Sequence, residues 1–160
     1  MSKWTICAGV LACLAVLVLL PILVATWDPF RGAVSLGAWR WLGLVPFLSG
    51  GVLAVWSAGL LVTRGDGTPA PWDPPRRFVL AGPYQVVRHP MMLGAFGVVL
   101  GEAVWAESPA VFLYLCGVVS MVGWYTSAIE EKELEARFLD AYRVYRERVP
   151  RWLPRLSRKR

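Results

Sequence analysis

The chain has 160 residues, enough for one domain (1–160), and is 56% hydrophobic with a mean hydropathy of +0.49, against about 45–50% apolar in ordinary soluble domains. Its formal charge of +6 has little soluble surface to sit on, so it reads as membrane topology and contact with anionic lipid, and it argues against nucleic-acid binding. The three cysteines, Cys7, Cys13 and Cys116, fall in apolar segments with neither metal-ligand spacing nor a disulfide framework. They read as small apolar fillers, and no metal is expected.

Residues 4–27, "WTICAGVLACLAVLVLLPILVATW", carry no charge over 24 positions. A bilayer core needs about 20 apolar residues in a helix, so this is a membrane span, with Trp4 and Trp27 as interfacial anchors. The run is much longer than the roughly 7–15 apolar residues of a signal peptide. A second span covers 41–62. Two more follow at 90–104, short enough to be tilted or packed inside the bundle, and at 110–128. The segment "WAESP" at 105–109 makes a tight hairpin turn between them. The expected fold is an all-α integral membrane protein of four transmembrane helices.

With four crossings, Lys3, the loop 63–89 and the tail from residue 129 fall on one side. That side holds 15 of the 17 basic residues, leaving Arg31 and Arg40 opposite, so it is expected to be cytoplasmic, with both termini. The loop opens with four prolines, which disfavour regular structure, and at 27 residues it is long for a linker. Trp72 and Phe78 imply that it lies back on the protein or on the membrane surface.

Segment 129–149, "IEEKELEARFLDAYRVYRERV", places Leu134, Phe138, Ala141, Tyr142, Tyr145 and Val149 at three- and four-residue spacing. That predicts an amphipathic cytoplasmic helix, with Glu133 and Arg137 paired at i,i+4 on its charged face. No proline lies between 110 and 149, so the fourth span runs on into it. Pro150 and Pro154 end it, and the Arg, Trp and Leu of "PRWLPRL" suit the lipid headgroup zone.

If the third and fourth spans form a hairpin, His89, the only histidine, neighbours Glu130 and Glu131 at its cytoplasmic mouth, near Arg76, Arg77, Tyr84 and Arg88. A histidine that titrates near neutrality, beside carboxylates that burial can shift, is a candidate site. Equally, a histidine before a helix-starting proline is often a structural hydrogen-bonder, and two glutamates can be a solvated face. Glu102 lies 13 residues beyond His89, roughly 20 Å along a helix, too far to share that chemistry. A structural pairing with Arg40 is expected instead.

"GPYQVVRHPMMLG" (82–94), followed by Glu130-Glu131, Leu134, Phe138, Tyr142, Tyr145 and Val149-Pro150, resembles the isoprenylcysteine carboxyl methyltransferase and phospholipid methyltransferase family of integral membrane enzymes. The likeness covers residues 76–154. It implies S-adenosylmethionine as cofactor, held by Arg76, Arg77, Phe78, Val79, Tyr84, Arg88, His89, Pro90, Met91 and Met92 on one side and by Glu130 and Glu131 on the other. Glu130, Glu131 and His89 become the candidate catalytic groups, and the acceptor is a lipophilic molecule entering from the membrane lipids. Members acting on prenylated cysteine tend to carry an arginine about one turn before the glutamates. Here "GWYTSAIEE" has none, which favours an amine lipid over a carboxylate. Leu139, where relatives often have glycine, reads as a packing difference. The rival reading is a non-enzymatic lipid-binding or assembly subunit of the same fold.

Overall fold

The computed structural model describes residues 11, 15–67 and 75–154. The start of the first expected span, Cys7, Cys13 and Trp72 lie outside the described residues. Every regular element among the described residues is helical.

Helix α1, Ala15–Thr26, opens in a π turn at Ala15–Leu19. A 3-10 turn, Gly37–Gly43, leads into α2, Leu44–Gly65. Helix α3, Pro90–Trp105, and helix α4, Pro109–Tyr125, form the expected hairpin, each with its proline in the first turn, where the missing N–H costs nothing. Ser108 caps α4 by accepting from Val111 N at 3.2 Å, as an N-cap hydroxyl does. A π turn, Thr126–Glu130, joins α4 to α5, Glu131–Arg148, so the chain runs helically from Pro109 to a break at Leu139 and on to Arg148. Two runs, Gly37–Gly65 and Pro109–Arg148, are long and apolar enough to cross a membrane; Ala15–Thr26 and Pro90–Trp105 are shorter apolar helices.

The tightest interface is between α2 and α3, and glycine makes it possible. A Cβ on Gly94 would lie 2.6 Å from Ala54 N and from the Gly50 carbonyl oxygen; one on Gly101 would lie 2.5 Å from the Gly43 carbonyl oxygen. Here backbone meets backbone, as at small-residue interfaces of membrane helices. A second core joins α1, α3 and α4 through Val99, Ala103, Val111 and Leu115, with Val24 and Phe96 against them. At the hairpin end, Asp28 accepts from the Ser108 hydroxyl and from Ala110 N, and Glu107 accepts from Leu36 N at 3.0 Å. The Asp28 carboxylate thus sits at the positive end of α4 and ties the 27–43 segment to the hairpin. Trp27, Trp39, Trp41 and Trp105 are exposed at this same end.

Three expectations change. Arg40 does not pair with Glu102. The 3-10 turn lays its guanidinium over the rings of Trp41 and Trp105, at 5.6 and 5.9 Å, a cation–π arrangement, while Glu102 Oε2 has no hydrogen-bond partner. Cys116 is exposed on α4 rather than filling the interior.

Leu139 is a matter of backbone, not packing. At φ 46°, ψ −123° it breaks α5, in a region that glycine alone enters freely, and its side chain is 64% exposed. The break lets Glu135 reach Arg143 at 2.8 Å and Arg146 at 3.2 Å, although positions 135 and 146 stand about 16 Å apart along a straight helix. Leu139→Gly is therefore expected to stabilise the protein by about 1 kcal/mol, raising Tm by about 2–4 °C. Thermal unfolding in detergent reads this, and an unchanged or lower Tm would count against the strain.

Candidate functional site

At the other end of the bundle, segment 75–89 folds back on the helices. The Gly65 carbonyl accepts from Arg76 N at 2.8 Å and Arg77 N at 2.9 Å. Val79, Ala81 and Tyr84 bury against Leu60 and Leu61 of α2. Gly82 turns the chain at φ +54°, where a Cβ would sit 3.0 Å from Leu60 and 3.1 Å from Trp56, so both backbone and space require glycine. Phe78 packs on α5, with ring centroids 5.2 Å from Phe138, 5.1 Å from Tyr145 and 6.0 Å from Tyr142. The Tyr145 hydroxyl donates to the Tyr84 carbonyl at 2.7 Å. The loop thus lies back on the protein through Phe78.

His89 precedes α3 and is 6% exposed. Its Nδ1 is 3.6 Å from Glu130 Oε2 and its Nε2 is 3.6 Å from Glu131 Oε1. These separations exceed a hydrogen bond but couple the groups electrostatically. Adjacent helical residues project about 100° apart, so the two carboxylates reach the ring from different sides.

The glutamates differ in surroundings. Glu131 accepts from Arg88 Nη1 at 2.7 Å and, in a two-point contact, from Arg151 Nε at 2.8 Å and Nη2 at 2.6 Å. Burial alone would push its carboxyl up, but His89, Arg151 and Arg88 outweigh it and hold it at about 2. Glu130 has no such cations. Burial pushes its carboxyl up, His89 pulls it down, and Glu131 and Glu133 push it up, for a net rise.

The Glu131 pairing predicts acid lability. A carboxyl lowered from 4.5 to about 2 on folding stabilises the folded state above about pH 4.5, and this contribution is lost as pH falls through 2. Denaturant midpoints measured between about pH 5 and pH 2 should fall in the wild type and fall less steeply in Glu131→Gln; parallel curves would refute the assignment.

A partly open cavity of about 230 Å³ lies between segment 75–89 and α5. Of the residues expected there, Arg77, Phe78, Val79, Tyr84, Arg88, His89, Met91, Met92 and Glu130 line it. Arg76 is exposed and off the cavity, Pro90 is buried beside it as the first residue of α3, and Glu131 faces the two arginines. Four buried polar atoms of lining residues have no hydrogen-bond partner: Arg88 Nε, His89 Nε2, Glu130 Oε2 and the Tyr142 hydroxyl. Unsatisfied buried groups are costly, and their convergence on one cavity makes it the candidate site for a polar ligand.

Residues beyond the expected set also line the cavity. Leu134, Phe138, Tyr142 and Tyr145 were expected together from their spacing, although the break at Leu139 puts the two pairs on separate helical segments. Glu133 and Arg137 line it too and form no ion pair with each other; the Arg137 guanidinium lies 5.9 Å from the Phe138 ring centroid. Arg151 and Trp152, expected among lipid headgroups, turn inward: Arg151 to Glu131, and Trp152 onto His89 with centroids 5.3 Å apart. Nothing in their spacing signalled this.

Comparison with curated proteins and comparison with solved structures each return no match. A family model does match: that of the phospholipid methyltransferases, over residues 38–141, from the turn before α2 into α5. With well over half its length matched, and with two helical runs long and apolar enough to cross a membrane, this membrane protein belongs to the phospholipid methyltransferase family.

Proposed function

We propose that the chain is an integral membrane enzyme that transfers a methyl group from S-adenosylmethionine to a lipophilic acceptor at the cytoplasmic interface, an amine lipid ahead of a prenyl-cysteine carboxylate. Four crossings, at 4–27, 41–62, 90–104 and 110–128, put the cavity on the side rich in Lys and Arg. The exposed tryptophans at the opposite end fit an interfacial belt.

The observation that carries the reading is the set of four unpartnered polar atoms in the cavity wall. Arg88 and His89 offer donors for a carboxylate. Glu130 and the Tyr142 hydroxyl suit an ammonium group and ribose hydroxyls, and Phe78 with Tyr145 offers aromatic surface for a flat base. Bound there, S-adenosylmethionine would supply an electrophilic sulfonium methyl. The chain's own work is positioning and exclusion of water. Leu61, Met91, Met92 and Tyr125 add residues from the loop-side ends of the apolar helices α2, α3 and α4 to the cavity wall, which suits an acceptor approaching from the bilayer.

An amine acceptor must lose a proton, and Glu130 is the group we assign to take it, since burial raises its basicity. The tail brings the Arg151 guanidinium to Ser127 Oγ at 2.9 Å, one turn before Glu131, but Glu131 engages it. A substrate carboxylate therefore finds no free cation there.

The test is calorimetry of S-adenosylhomocysteine binding to the detergent-purified protein, followed by methyl transfer from labelled cofactor into a total lipid extract. Binding and base-stable label in lipid are expected. Base-labile label released as methanol would move the acceptor to a carboxylate, and no binding by folded protein would favour a lipid-binding subunit without catalysis.

A further inference from the structure

We infer that segment 150–152 is a strap completing the site, with Arg151 and Trp152 as positioning residues for Glu131 and His89. The segment lies beyond the residues the family model matches. Only the ligand-affinity readout below rests on the methyl-donor reading; the spectroscopic one does not.

The chain is turned back into the site by its own covalent geometry. Val149 ends α5 in an extended conformation, φ −108°, ψ 121°, as the residue before a proline prefers. The Pro150 carbonyl then accepts from Arg88 N at 2.9 Å, fixing the strap to the residue next to His89.

Arg151 acts through Glu131. Its two-point contact occupies both carboxylate oxygens, whereas Arg88 reaches only Oε1. Without Arg151, a buried carboxylate would keep a single cation, and Arg88 and His89 would be drawn towards it and away from the cavity. With Arg151 in place, Arg88 Nε and His89 Nε2 remain without a hydrogen-bond partner.

Trp152 acts through the imidazole plane. Its indole lies 5.3 Å from His89 and 5.7 Å from Phe96 of α3, tilted 36° and 37°, so α3 backs the indole and the indole backs the imidazole. Neither Arg151 nor Trp152 lines the cavity, so both act on a ligand only through their neighbours.

His89 is the only histidine, so the imidazole signals of histidine-labelled protein in detergent belong to it alone. The indole should displace them upfield. Trp152→Leu, which keeps apolar bulk without the ring, should abolish the displacement and weaken S-adenosylhomocysteine binding about tenfold; Trp152→Phe should keep most of the displacement and bind within about threefold of wild type. Arg151→Met should weaken binding by about tenfold, with partial recovery in Arg151→Lys, which keeps the charge and loses the fork. Imidazole signals unchanged in Trp152→Leu, or binding unchanged in both Trp152→Leu and Arg151→Met, would overturn the strap. If wild-type protein fails to bind the ligand, the methyl-donor reading falls, and the imidazole signals still decide the strap.

Discussion

Gly94→Val is expected to leave no correctly assembled protein. The first added carbon would stand 2.6 Å from Ala54 N and 3.0 Å from Ala54 Cα. Those atoms are backbone of α2, held in its hydrogen-bond ladder, so no side chain can swing away. Ordinary overpacking costs about 1–3 kcal/mol; here α2 must move away from α3, and the cost should exceed about 3 kcal/mol, a large part of the roughly 5–15 kcal/mol that stabilises a typical fold. Gly51→Val is the matched control. It lies on the facing helix α2, one residue from Gly50, and a Cβ there meets nothing within 4 Å. Gel filtration and thermal unfolding in detergent should show Gly94→Val aggregated or strongly destabilised and Gly51→Val close to wild type. Equal behaviour of the two would mean that α2 and α3 do not meet in this register.

Glu130→Gln is expected to fold normally and to lose methyl transfer by about 10²–10⁴-fold, the usual contribution of a positioned general base. The replacement is isosteric, so the cavity keeps its shape. The pH profile carries the sign. Glu130 titrates above the ordinary 4.5; it must be ionised to accept a proton, so wild-type kcat/KM should rise with pH along a limb displaced above that value. The limb should vanish in Glu130→Gln. With an amine acceptor the loss falls on kcat. A loss confined to KM would make Glu130 a binding group only and would fit an acceptor with no proton to lose. Glu131→Gln should behave differently, acting on stability through Arg88 and Arg151.

The helices were legible in the sequence because length and punctuation decide them. Uncharged runs set three of the four apolar segments, and Pro90 and Pro150 mark one start and one end that the structure keeps. The meeting of His89 with the glutamates followed from the hairpin alone. What stayed hidden depends on which neighbour arrives first. Spacing places Glu130 and Glu131 beside each other, but not the two guanidiniums that reach one of them, from 43 residues before and 20 residues after. Arg40 and Glu102 looked like partners by sign, yet two indoles offered the arginine a nearer surface. The glycines of α2 and α3 gave no signal either, because a missing side chain does not say what will occupy its place.

The π turn at Thr126–Glu130 has a consequence for how the site tolerates genetic change. It takes up one residue more than an α-helical turn would, so the helical segments on either side keep the phase of an uninterrupted helix. Removing one residue there would close it to an ordinary α turn and leave Phe138 facing Phe78, whereas removing one between Glu131 and Phe138 would rotate Phe138 by about 100° away from it. A single-codon deletion is therefore absorbed in the turn and not in the helix that follows it.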